Sequence, residues 1–137
     1  RFTKPMKETI QKEIVTWFDA AFKAQYPTVP IAYENQPFDW GNPPDLFIEF
    51  EVKFYSGNQI NLGAPKTRYG GYAYATVWAK EGSGTLSSKR ILDWVDDRLG
   101  YKTLAHVQLE APEPDESSPN KGWSIEGSKF RFYGDES

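Results

Sequence analysis

Leu46-Phe47-Ile48-Glu49-Phe50-Glu51-Val52-Lys53-Phe54-Tyr55 is the stretch from which the fold can be read. Leu46, Ile48, Phe50, Val52 and Phe54 fall on one side of an extended chain, with Glu49, Glu51 and Lys53 on the other. Alternation of this kind means an antiparallel sheet with one wet face. A second long strand runs from Tyr72 to Ala79, where Tyr72, Tyr74, Thr76 and Trp78 alternate with Ala73, Ala75, Val77 and Ala79.

Working outward, a helix is expected from about Lys7 to Gln25. Ile10, Ile14, Trp17, Phe18, Ala21 and Phe22 recur at steps of three and four and make one apolar stripe. Pro27 and Pro30 end it, and Ile31 to Glu34 is a short extended piece. Asn35 to Pro44 is a loop dense in turn formers, with Phe38 and Trp40 embedded in it. A second helix from about Thr85 to Leu99 buries Ile91, Leu92, Val95 and Leu99, and Gly100 stands where a helix-ending glycine belongs. Ala105, Val107, Leu109 and Ala111 alternate as a further strand, and the acidic stretch from Pro112 to Lys121 reads as a mobile loop. In the last strand Trp123 and Ile125 have odd parity whereas Phe130 and Phe132 have even parity, which predicts a bulge at Gly127. The expected fold is α+β, with one antiparallel, mostly four-stranded sheet and two helices packed on one face.

The chain has 137 residues, enough for one domain, expected to span 6–135 with flexible ends at 1–5 and 136–137. Aromatic residues are 16% of it, more than a core of this size requires. A net charge of −3 supplies no long-range field to gather phosphate backbones. No apolar run is long enough to cross a bilayer, and no signal-peptide pattern opens the chain. Cysteine is absent, which fits assembly in a reducing cytosol and excludes thiol chemistry.

The chemical inventory is sparse. His106 is the only histidine, with no Gly-x-Ser-x-Gly elbow to accompany it, and reads as a solvated strand residue. Glu49 and Glu51 share a strand face, as a carboxylate-dependent hydrolase or a hard-cation site would want, but Lys53 continues the row as on an ordinary solvated face. Asp93, Asp96 and Asp97 lie off the apolar stripe of their helix, and Asp115-Glu116 lacks the spacing of a calcium loop. Gly82-Ser-Gly84 before a helix is a weak anion-binding signal.

The polar, glycine-bearing stretch from Gln59 to Gly71 stands out. Hairpin connections usually take two to five residues and this one is about three times as long. Tyr69, Tyr72, Tyr74 and Trp78 follow closely, and aromatic side chains with arginine are typical of protein interfaces.

Several features occur together in one order. They are Pro30-Ile31-Ala-Tyr-Glu-Asn35 after the first helix, then Asn35-Gln-Pro-Phe38 with Pro43-Pro44 before a strand. Gln59-x-x-Leu62-Gly63 and Arg68-x-x-Gly71 come next, followed by Gly82-x-Gly84, Ala111-Pro112, Gly122-Trp123, Phe132 and Asp135. In this the chain resembles the phage tail-terminator (tail-completion) family of the lambda minor tail protein U type, and the phage-related domains of unknown function near it. Ser124-Ile125 and the turn at Tyr101 depart from the family pattern.

The resemblance implies a small structural protein that forms a ring, typically a hexamer, on the end of a growing tail tube. The ring would stop tube growth and present the surface that joins tail to head. Its partners would be copies of itself, the tube protein and a head-completion or connector protein. It would have no cofactor, no membrane and no specific nucleic-acid target, although DNA would pass through the ring. It would reside in the virion tail and be made in the bacterial host cytoplasm. A closed ring needs two different complementary patches per subunit. The expected interface comprises Gln59, Leu62, Gly63, Arg68, Tyr69 and Gly71, with Arg68 meeting Glu49 or Glu51 of a neighbour. The alternatives are another neck or adaptor protein of the same virion, and a hydrolase using the Glu49/Glu51 row.

Overall fold

A computed structural model describes residues 6–34, 36–59, 67–82, 85–115 and 122–135. The apolar stripe of the first helix is real: α1, Met6–Gln25, buries Met6, Ile10, Ile14, Phe18 and Phe22 at steps of four. Glu8 in its first turn and Lys23 in its last oppose the helix dipole favourably. Tyr26 N–H closes the helix on the Phe22 carbonyl at 2.7 Å, and Pro27 and Pro30 prevent its continuation.

Among the described residues five strands follow, in the spatial order β1-β2-β3-β5-β4. They are β1 (Ile31–Tyr33), β2 (Leu46–Gln59), β3 (Thr67–Lys80), β4 (Gln108–Asp115) and β5 (Trp123–Asp135), with α2 (Thr85–Leu99) between β3 and β4. The sheet is therefore mixed and five-stranded, not antiparallel and four-stranded. The difference is β1, which pairs with β2 in parallel from Ile31 opposite Ile48 to Tyr33 opposite Phe50. A parallel neighbour requires the chain to travel back before it re-enters the sheet. On that return Phe38 and Trp40 pack on Phe47 with ring centroids 4.8 and 5.6 Å away.

β2 and β3 form a long antiparallel ribbon from Leu46 opposite Ala79 to Gln59 opposite Thr67. Both strands thus extend well into the stretch read as a loop, and only 60–66 of it lie outside the described residues. The register slips once, between Phe54 and Ser56, where Tyr55 is the extra residue. No such slip occurs at Gly127, which sits in unbroken register opposite Thr76. Trp123 and Phe130 simply face opposite sides of the sheet. The slip in this part lies in β4, between Leu109 and Pro112. Residues 105–107 fall outside β4, whereas Pro112 to Asp115, read as loop, are inside it. Prolines fit there because β4 is an edge strand, and beside Pro112 and Pro114 no further strand among the described residues would receive an N–H.

Both helices pack on one face, as expected. Their stripes meet Ile48, Phe50, Val52, Ala73, Ala75, Val77, Phe130 and Phe132 in a single core. The small residues of β3 make room for the helices, and the Phe18 ring stacks on Phe50 at 4.0 Å. Gly100 does not supply the left-handed turn after α2. Tyr101 does so, at φ 60°. A Cβ at Gly100 would instead meet the Asp96 carbonyl at 2.7 Å and Pro112 at 3.2 Å, so glycine there allows β4 to come close.

Candidate docking face

With both helices on one side, the other face of the sheet is left to the outward residues of β2, β3 and β5. Strand register brings Glu49 opposite Thr76, Glu51 opposite Tyr74 and Lys53 opposite Tyr72. On the far side of β3, Tyr72 meets Arg131, Tyr74 meets Lys129 and Trp78 meets Ile125. The face divides into three zones.

At one end Phe38, Trp40, Phe47, Trp78 and Trp123 form an aromatic cluster. Phe47 stacks on Trp78 at 5.6 Å, and Trp123 meets both, edge to face, at 5.8 and 6.0 Å. Phe47 is fully buried beneath it, while Trp40 keeps 50% of its surface exposed. In the middle lie the carboxylates. Glu49 Oε1 accepts a hydrogen bond from the Trp78 indole N–H at 3.1 Å, and Glu51 lies 3.6 Å from the Lys53 ammonium. Burial lifts the Glu49 carboxyl above its ordinary range, outweighing the Trp78 bond, with the nearby Glu51 charge adding to the rise.

The third zone alternates cations with tyrosines. Arg68 lies over the Tyr133 ring at 4.5 Å, Lys129 over Tyr72 at 5.2 Å and Arg131 over Tyr55 at 5.5 Å. Arg131 Nε also donates to the Tyr55 hydroxyl at 2.8 Å. Tyrosine and arginine combine a broad apolar body with a polar tip, the composition found at the centres of protein interfaces.

The expected interface residues separate accordingly. Glu49, Glu51 and Arg68 share the outer face. Tyr69 and Gly71 do not, because their parity turns them inward, with Tyr69 packed against the core and Gly71 beside Phe132. Gln59 closes β2 in backbone register with Thr67. Leu62 and Gly63 lie outside the described residues. Lys129 and Arg131 were missed, although the alternation Lys129-Phe130-Arg131-Phe132 marks them as opposite to two core phenylalanines.

His106 lies away from this face, in the turn before β4. Glu13 of α1 accepts from its backbone N–H at 2.7 Å and bonds its Nδ1 at 2.7 Å, which ties α1 to that turn. That contact replaces the solvated strand position expected for it. Among the described residues no cluster of three or more His, Cys, Asp or Glu is placed to hold a metal ion. No helix among them is long and apolar enough to cross a membrane.

These features define an α+β protein with two helices on one side of a mixed five-stranded sheet and an aromatic, charged face on the other. No family model and no curated protein matches the chain. A solved structure known only by a serial designation is similar, with a TM-score of 0.71 and 13% identity, over 93% of this chain and 94% of that one. At that identity the likeness is one of fold.

Proposed function

We propose that this protein is a structural subunit of a phage or prophage tail, a tail terminator that caps the tube as a ring and forms the head–tail joining surface. The observation that carries the reading is the helix-free face of the sheet. It places Arg68, Lys129 and Arg131 among tyrosines at one end and Glu49 with Glu51 farther along β2. A patch of that make-up suits contact with another protein, and its unlike zones suit the heterologous contacts that close a ring. The ordered sequence features point to the same family. A net charge of −3 suits a channel through which DNA slides without being held.

Arg68→Ala tests the reading. A cation–π contact at an exposed site is worth about 0.5–1 kcal/mol, so the monomer should remain folded. An arginine desolvated in an interface costs about 2 kcal/mol on truncation, roughly a thirty-fold loss of association. Sedimentation velocity of both proteins over a concentration series reads the difference, and unchanged association removes Arg68 from the interface. A neck or adaptor protein of the same virion would use the same face without closing a ring on its own copies. The hydrolase alternative needs Glu49 as an acid or base, and an activity lost on Glu49→Gln would favour it.

A further inference from the structure

On one side of the sheet, the edge strand stops before its neighbour does. β1 reaches only Tyr33, opposite Phe50, while β2 continues to Gln59. The Ile48 N–H donates to the Pro30 carbonyl at 3.0 Å, so the even-numbered residues of this part of β2 aim their backbone groups toward β1. Val52 and Phe54 aim theirs the same way, beyond the end of β1. Among the described residues no strand pairs with them on that side.

The opposite edge is managed differently. β4 carries Pro112 and Pro114, which have no N–H to offer. Its other half is engaged by the preceding turn, where Leu109 N–H donates to the Lys102 carbonyl at 2.8 Å and Tyr101 N–H to the Glu110 carbonyl at 3.2 Å.

Beside the open length of β2, α1 leaves a cavity of about 220 Å³. Val15, Tyr33, Phe50 and Val52 line it, together with Glu8, Glu34 and Glu51 against Lys12, and Lys53 lies 3.6 Å from Glu51. An unpaired strand edge recognises extended backbone, and the pocket alongside selects alternate side chains. The apolar floor fits an aliphatic group, and the acidic rim fits cations on either side of it.

We propose that β2 between Glu51 and Phe54 is a strand-accepting site for an extended segment of a second protein, in which aliphatic residues alternate with lysine or arginine. The bulge at Tyr55 sets its far limit, because the extra residue there breaks the alternation of backbone groups along β2. Four residues of ladder make this a site for a tail or loop of the partner, separate from the broad outer face. The proposal stands whether or not the chain forms a ring.

The test is an NMR titration of the 137-residue chain with the capped hexapeptide Lys-Val-Lys-Val-Lys-Val and with its glutamate-for-lysine counterpart. The lysine peptide should slow amide exchange at Val52 and Phe54 by about ten-fold or more at saturation and shift Val15 and Tyr33. The glutamate peptide should do neither. Glu51→Lys, on a partly exposed position, should weaken lysine-peptide binding by roughly ten-fold while leaving the core amides protected. Equal binding of the two peptides would overturn the proposal. So would shifts centred on Tyr72 and Tyr74, or Val52 and Phe54 amides already as protected as core amides in the free chain.

Discussion

Gly71→Ala should unfold this protein more readily, although the residue belongs to a sequence motif that suggests an interface. A Cβ built at Gly71 would lie 2.1 Å from the Lys53 carbonyl oxygen and 2.8 Å from the tip of the Phe132 ring. The first of these neighbours is backbone of the paired strand, so relief requires β2 and β3 to part by nearly an ångström. Overpacking of this kind costs about 1–3 kcal/mol, and a backbone obstacle puts the site at the top of that range. Replacing glycine returns roughly 0.4–1 kcal/mol by restricting the unfolded chain. The net loss is about 2 kcal/mol, which lowers the melting temperature of a domain this size by roughly 6–10 °C.

Gly70→Ala is the control. The three atoms nearest its Cβ all belong to the Tyr55 side chain, at 3.0 Å and beyond, and Tyr55 is 52% exposed, so it need give by only a few tenths of an ångström despite its bond to Arg131. That variant should lie within about 1 kcal/mol of the parent. Paired urea denaturation curves measure both changes. If Gly71→Ala were as stable as the parent, or Gly70→Ala the more damaging, the inward placement of Gly71 would be wrong.

Two further perturbations test the polar contacts. Because burial raises the Glu49 carboxyl above its ordinary value of 4.5, the folded chain holds that proton more tightly than the unfolded chain. Stability therefore falls as pH rises through the interval above that value. Glu49→Gln, which keeps an oxygen for the Trp78 indole, should stabilise the protein at pH 7 and give no gain below about pH 4, as thermal melts across pH would reveal. Asp19 behaves in the opposite sense. Burial pushes its carboxyl up, but the Tyr33 hydroxyl at 2.6 Å and the Lys23 ammonium at 3.1 Å outweigh this and hold it below 3.8. Its contribution is present above the unfolded value and is lost as pH falls through the lower folded value. Tyr33→Phe should cost about 1 kcal/mol at neutral pH, with the deficit shrinking in acid.

The long elements were legible because a single period ran through each. The alternation of Leu46 to Phe54 and the stripes of the two helices placed the core, and the α2 bounds of Thr85 and Leu99 were read correctly. β1 was not legible as a sheet strand, since three residues carry no period and its parallel pairing depends on where Pro30 meets Ile48. β4 was misplaced because Pro112 and Pro114 argue against a strand unless the strand is known to lie at an edge. The bulge assigned to Gly127 assumed that all the large apolar residues of β5 share one core. Trp123 belongs instead to the outer cluster on Phe47.

Of the candidate interface, residue type alone marked Glu49, Glu51 and Arg68, and the register put all three on the outer face. Tyr69 and Gly71 turned inward because β3 alternates without a break back from Ala73, Ala75 and Val77, which a short motif does not show. Lys129 and Arg131 belong with Arg68 for the converse reason. Their place follows from facing away from Phe130 and Phe132, which only a settled strand register makes plain.

Self-association through the uncovered face of the sheet is the work proposed for this protein. Sedimentation equilibrium of the purified chain, from micromolar to near-millimolar concentration, tests it most directly. A closed oligomer of several copies that dissociates when Arg68 is replaced by alanine is the expected result. A single species with the mass of one chain at every concentration would contradict it.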